Sequence, residues 1–174
     1  MAQRYLIPSG PMQTTASFAT LATGTNIITL LQVKPLAILK VIEWGVSLDG
    51  SAAATPGKIE LVETGTVGAT VTTAYVDADI TKLGDGVSDA EVFSTFGTLN
   101  GTNGTVTSGY NASAEGSITA IRNLAGPQLI APTNQFIQQF PLGREPVIQK
   151  NNYTRIRVKF GASVNAYAYM IVEV

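Results

Sequence analysis

The chain has no cysteine and no histidine, and charged residues make up only 13% of its 174 positions. The two missing residue types exclude zinc sites of the Cys/His kind, disulfides, thiol nucleophiles, serine–histidine machinery and an imidazole pH switch. The 11 basic and 12 acidic residues give a net charge of −1. Nucleic-acid clamps and polybasic membrane anchors need clustered positive charge, so the charge balance argues against both.

Small neutral residues replace the missing charge. An ordinary soluble domain carries roughly 25% charged residues. Here Thr, Ser, Asn, Gln and 17 glycines take their place, beside 45% apolar residues. Such a surface repels little, and a net charge near zero favours association. Composition therefore leaves two interpretations open: a neutral β protein, or a subunit whose faces contact neighbours.

No stretch of the sequence predicts a membrane span or a signal peptide. Residues 5–33 carry no charge, but prolines, glycines and hydroxyl residues keep every apolar run far below the ~20 residues of a spanning helix. The apolar run after Arg4 ends at Pro8, which is too short for a signal peptide. The length fits one domain, or one domain with an arm.

The first 24 residues predict an N-terminal arm ahead of a single domain at 25–174. They are rich in Thr, Ser, Ala, Pro and Gly, with isolated apolar side chains between them. A segment of this composition can remain disordered alone and become ordered against a partner. The alternative is a first edge strand of the domain.

Alternating apolar and polar residues predict about eight strands and few helices. The predicted strand segments are 27–33, 36–48, 58–64, 70–75, 117–121, 135–140, 147–150, 153–160 and 164–174. Strands at this spacing favour an antiparallel sandwich or barrel, and eight of them favour a jelly roll over an immunoglobulin-like sandwich. The predicted fold class is an all-β, antiparallel, jelly-roll-like β-sandwich with an extended N-terminal arm.

Two strands predict which side chains face the core. In residues 36–48 the predicted inward set is Ile38, Lys40, Ile42, Trp44, Val46 and Leu48. In residues 153–160 the set opposite the apolar face is Tyr153, Arg155, Arg157 and Lys159. The three cations of this second set either meet an acidic surface of a partner or form the solvated side of an amphipathic strand. They are too few for nucleic acid without aromatic stacking partners.

The carboxylate cluster of the sequence is Asp77, Asp79, Asp85, Asp89 and Glu91. A calcium loop that begins at Asp77 needs Gly at its sixth position and a bidentate Glu at its twelfth. Those positions hold Lys82 and Ser88, so the match fails twice. We expect a solvated loop and a short helical turn over 77–84 that Asp77 caps. The sequence predicts no metal, no cofactor and no enzymatic activity.

Five short segments occur in a familiar order: 44–50 (WGVSLDG), 58–62 (KIELV), 140–145 (FPLGRE), 155–158 (RIRV) and 164–173 (VNAYAYMIVE). Together they resemble a family of small tailed-bacteriophage head proteins with a β-sandwich fold, over about residues 36–174. The sequence departs from the family at its very end, where Glu173-Val174 replaces a more acidic close.

The resemblance implies a decoration, or cement, protein on the outer surface of an icosahedral head, made in the host cytoplasm. It implies a homotrimer bound to the major capsid protein, with no nucleic-acid or membrane partner. The expected partner contacts are Tyr5, Leu6, Ile7 and Phe18 of the arm and Arg155, Arg157 and Lys159 of the basic strand. Deletion of residues 1–20 would then leave a folded domain that binds shells poorly. The alternatives are a jelly-roll main capsid subunit, a carbohydrate- or receptor-binding module, and a hydrolase.

Overall fold

The structure is a computed structural model that describes residues 2–10, 27–50, 55–84, 96, 108–117 and 121–174. Within these residues, twelve strands form two antiparallel sheets that pack face to face, which confirms the predicted all-β sandwich. The strands are β1 (Arg4–Pro8), β2 (Ile28–Val33), β3 (Leu39–Asp49), β4 (Gly57–Thr64), β5 (Thr70–Ala74), β6 (Thr81–Leu83), β7 (Gly109–Ala114), β8 (Ile121–Ile130), β9 (Gln135–Gln139), β10 (Val147–Ile148), β11 (Tyr153–Lys159) and β12 (Asn165–Glu173).

Eight of the strands pair in a nested order. β1 pairs with β12, β2 with β11, β3 with β9 and β4 with β8. The resulting sheets run β9-β3-β12-β1 and β2-β11-β4-β8. A long antiparallel ribbon that wraps around a core produces this order, which is that of a jelly roll.

The remaining four strands extend this framework. Between β4 and β8, β5 and β7 pair with each other, and β7 continues the second sheet beyond β2. The short strand β6 continues the first sheet beyond β1. On the opposite edge, β10 adds two residues beside β3. The segment between β4 and β8, which we call the insertion (residues 65–120), therefore contributes strands to both sheets.

The core lies between the two sheets. Its largest fully buried apolar side chains are Trp44, Tyr5, Tyr75, Phe96, Phe160, Ile7, Leu30, Leu31, Leu39, Ile59 and Leu61. The Trp44 ring lies 5.0 Å from that of Phe136, and its Nε1–H donates to Gln138 Oε1 at 3.2 Å. Trp44 is thus a core residue, as the sequence predicts, and its one polar atom is satisfied.

A β-bulge in β3 corrects the predicted inward face of that strand. The register with β12 shifts between Ile171 and Val172, which leaves Ile42 as an extra residue on β3. A bulge of this kind reverses the side-chain alternation on either side of it. The inward residues are therefore Leu39 and Val41 before the bulge, and Trp44, Val46 and Leu48 after it. Ile38 and Lys40, which the alternation places inward, are exposed.

The first residues do not form an arm as predicted, since Arg4–Pro8 are a strand in the first sheet. β1 lies between β12 and β6, and it hydrogen-bonds to both. Its side chains alternate, with Tyr5 and Ile7 buried in the core. Beyond β1, Ser9 N donates to Ala168 O at 2.7 Å. Residues 11–24, the rest of the predicted arm, lie outside the described residues.

Three further segments differ from the sequence prediction. Residues 77–84 form a 3-10 turn, Asp77–Asp79, followed by β6 rather than one helical turn. β7 falls outside every predicted strand segment. The predicted strand 117–121 overlaps β8 only at Ile121, and residues 118–120 lie outside the described residues. β8 runs on to Ile130 through Gly126 and Pro127, two residue types that usually interrupt strands, and bulges against β4 accommodate them.

Candidate functional site

The strand β11 carries the predicted basic face, and the structure corrects the expected exposure of two of its cations. Arg155 is 0% exposed and Arg157 is 6% exposed, whereas Lys159 is exposed. The alternation itself is as predicted, because Ile156 and Val158 point into the core. Both arginines lie on the outer side of the second sheet. Arg155 contacts Glu115 and Val67, and Arg157 contacts Glu60.

Arg155 is held by the insertion. Its Nη1 donates to Glu115 O at 3.1 Å and lies 3.5 Å from Glu115 Oε2, and its Nη2 donates to Val67 O. The same carboxylate accepts hydrogen bonds from Thr29 N at 2.5 Å and from Thr29 Oγ1 at 2.8 Å. Burial lowers the pKa of Arg155 to about 10, and Glu115 partly offsets that effect. Arg155 therefore ties the insertion to β11 and is not free to contact a partner.

Arg157 faces a different environment. On the neighbouring strand β4, Glu60 lies directly opposite, and Arg157 Nη2 forms an ion pair with its Oε1. Arg157 Nε has no hydrogen-bond partner in the described part of the chain. One step further along β11, Lys159 lies opposite Lys58, and both are exposed. The basic face thus runs from a covered end to an open end.

The predicted contact residues near the N-terminus fall into buried, half-buried and undescribed positions. Tyr5 and Ile7 are buried, and the Tyr5 ring packs edge-on against Phe96 with centroids 5.1 Å apart. Leu6 points to the outer side of the first sheet and is half-buried. Phe18 lies outside the described residues. Of the predicted set, only Leu6 and Lys159 are placed by the structure where a partner can reach them.

Exposed apolar side chains mark a surface that the sequence analysis did not select. Leu142, in the turn between β9 and β10, is 94% exposed, Ile137 on β9 is 52% exposed, and Ile38 before β3 is 59% exposed. β9 and β10 both pair with β3, so these three side chains follow one edge of the first sheet. We call them the apolar edge. The FPLGRE segment contains Leu142, and the position of this leucine between Pro and Gly, in a turn, was the sequence signal that could have indicated its exposure.

The acidic run divides between described and undescribed residues. Asp79 is buried, and its Oδ2 accepts a hydrogen bond from Val76 N at 3.0 Å, which closes the 3-10 turn. This is a local capping role. Asp85, Asp89 and Glu91 lie outside the described residues. Among the residues that the structure does describe, no group of three or more acidic side chains is placed to hold a metal ion.

Comparison with known proteins finds no matching family model, no matching curated protein and no matching solved structure. Within the described ranges, no helix is long and apolar enough to cross a membrane. The described residues thus form a jelly-roll β-sandwich with two covered arginines on β11, an apolar edge and an open basic surface.

Proposed function

We propose that this chain is a structural protein of a virion that decorates and stabilises a bacteriophage head through subunit contacts. Three features support the proposal. The ordered motifs of residues 36–174 resemble small head proteins of tailed phages. The jelly roll is an architecture that capsid proteins commonly use. The low charge favours association between neutral surfaces.

The apolar edge is the observation that carries the proposal furthest. Contiguous patches of exposed apolar side chains mark protein–protein contacts, and in this proposal Ile38, Ile137 and Leu142 form such a patch. Full burial of a large apolar side chain contributes about 1.5–3 kcal/mol. Ile38 and Ile137 are already about half-buried and Leu142 is almost fully exposed, so covering all three would contribute about 4 kcal/mol per subunit.

This contribution is too small to hold one subunit firmly, because association itself costs several kcal/mol. A homotrimer removes the difficulty, since the second and third contacts become intramolecular once the first has formed. A decoration protein that binds only the assembled shell stabilises that shell by linkage. In this proposal the partner is the major capsid protein and the site of action is the outer surface of the head.

The test is electron microscopy and quantitative mass spectrometry of purified particles of the virus that encodes the chain. The proposal expects the chain in stoichiometric amount with density outside the shell. Absence from purified particles would overturn it, and so would density that forms the shell itself.

A pair of variants tests the apolar edge. Leu142→Ser should lower occupancy on shells while leaving the fold intact, because a side chain this exposed contributes little to folding. Leu83→Ser is the matched control, since Leu83 is also exposed but lies in β6 at the opposite edge of the same sheet. Equal occupancy for both variants and the parent would refute the role of this edge.

A further inference from the structure

The open end of the basic strand forms a groove on the outer side of the second sheet. One pocket of about 190 Å³ is lined by residues that include Lys58, Lys159, Arg157 and Glu60. A second pocket, of about 440 Å³, shares Lys58 and Lys159 with the first. The two pockets therefore adjoin at the lysine pair. We call their union the lysine groove.

The lysine pair is electrostatically unfavourable in the isolated chain. Lys58 and Lys159 are directly opposite each other on adjacent antiparallel strands, a position in which side chains interact and like charges destabilise. Arg157 adds a third cation, and among the described residues Glu60 is the one carboxylate that lines the groove. Three positive groups against one negative group leave the groove with a net charge of +2.

Edge protection does not account for these lysines. Lysines often stand on edge strands, where they prevent pairing with another chain. β4 lies between β11 and β8, and β11 lies between β2 and β4, so neither strand is an edge. A negative group on another molecule would explain why the two lysines remain opposite each other.

The apolar lining indicates what carries that negative group. Ile27 lines the first pocket, and Leu129 lines the second and is 73% exposed. Leu129 pairs with Lys58 across β8 and β4, so it lies beside the lysine pair. A small free anion would leave these apolar side chains uncovered. A strand of nucleic acid needs more cations and aromatic stacking surfaces, which this groove lacks in the described residues.

We propose that the lysine groove binds an extended peptide segment of a partner protein in which acidic side chains lie between apolar ones. The carboxylates contact Lys58 and Lys159, and the flanking apolar side chains cover Ile27 and Leu129. This site goes beyond the decoration role proposed above and does not depend on it.

The test is a two-dimensional NMR titration of the isolated full chain with a synthetic peptide that has two central aspartates flanked by leucines. Amide shifts should concentrate at Lys58, Lys159 and Leu129. Lys58→Glu should weaken binding at least about tenfold, equivalent to about 1.4 kcal/mol. This variant should fold at least as well as the parent, because it places opposite charges across β4 and β11. Lys150→Glu, at an exposed lysine outside the groove, makes the same charge change and should bind like the parent.

Four results would overturn the inference. The first is equal binding by Lys58→Glu and the parent. The second is equal binding of a peptide with asparagines in place of the aspartates. The third is that acetate or inorganic phosphate, at the peptide's concentration, shifts the same amide signals, which would make this a small-anion site. The fourth is tighter binding of a single-stranded oligonucleotide. Because the isolated chain is used, none of these results decides whether the chain is found on virions.

Discussion

Removing the charge of Glu115 should destabilise the fold, because the buried Arg155 would lose the carboxylate that pairs with it. Glu115→Gln keeps the size of the side chain but leaves the fully buried Arg155 without its carboxylate. It also puts an amide group where Glu115 now accepts hydrogen bonds from Thr29 N and Oγ1. An amide has one acceptor oxygen instead of two, so the two donors must share that oxygen or the Thr29 hydroxyl must rotate to accept from the amide.

The magnitude follows from the burial of the pair. Breaking a fully buried ion pair costs about 3–5 kcal/mol. The Glu115 side chain is 21% exposed, and water can partly replace its role, so we expect about 2 kcal/mol. For a chain of this size 1 kcal/mol shifts Tm by about 2–4 °C. Glu115→Gln should therefore lower Tm by about 4–8 °C.

Urea unfolding, followed by the fluorescence of the single tryptophan, measures this loss. Trp44 is fully buried in the core and reports on the whole sandwich. Glu145→Gln is the control, because that carboxylate accepts from Gly143 N in an exposed turn; its effect should stay within about 0.5 kcal/mol. A change of under about 0.5 kcal/mol for Glu115→Gln would refute the reasoning.

A double-mutant cycle separates the pair from its surroundings. Arg155→Met removes the buried charge but leaves Val67 O and Glu115 O without their donor, so it should also destabilise. The double variant with Glu115→Gln should lose less than the sum of the single variants, since the uncompensated charge is gone. Additive losses would mean that Arg155 and Glu115 act independently.

Three further predictions concern the fold. Burial raises the pKa of five of the six tyrosines, Tyr75, Tyr110, Tyr153, Tyr167 and Tyr169. The phenols of the unfolded chain ionise near pH 10, whereas the buried phenols of the folded chain stay protonated to a higher pH. The contribution of these tyrosines to stability is therefore intact below about pH 10 and is lost as the pH rises further. An unchanged urea midpoint between pH 9 and 11 would contradict this. Gly57→Ala should cost about 1–3 kcal/mol in urea unfolding, because a Cβ there would lie 2.6 Å from Lys159 O, whereas Gly65→Ala, with nothing within 4 Å, should be nearly neutral. Deletion of residues 2–10 should prevent folding, because it removes β1 from within the first sheet. Circular dichroism and NMR dispersion would show the loss of structure. A truncated chain that still folds would mean that these residues are an arm attached to the domain, as the sequence predicts.

Period-two alternation predicts the strands that lack irregularities. β11 and β12 begin and end within one residue of their predicted segments, and the predicted apolar face of β11 is inward. In β3 the alternation fails at Ile42, because a bulge depends on the pairing with β12 and leaves no local signal. β1 contains the alternating pair Tyr5 and Ile7, but five residues are too few to outweigh the Thr- and Pro-rich sequence that follows.

The exposure of surface side chains was less predictable than the strands, because it depends on which distant parts of the chain cover them in the folded structure. Arg155 has the sequence context of a solvated cation, and only the insertion's approach through Glu115 and Val67 buries it. The opposition of Lys58 and Lys159 depends on the register between two strands whose paired residues are 89 to 101 positions apart along the chain. Neither a composition count nor a local pattern contains that register.

The coverage of β11 decides which of its cations can serve a partner. Along the outward side of the strand, Arg155 is fully covered, Arg157 is nearly covered and Lys159 is exposed. At the covered end, a cation needs an internal carboxylate, and Glu115 supplies it. At the open end, no internal carboxylate pairs with Lys159 in the described part of the chain, although a neutral or acidic residue at position 58 would remove the repulsion. One strand therefore combines an internal anchor with a surface whose charge is left for another molecule to neutralise.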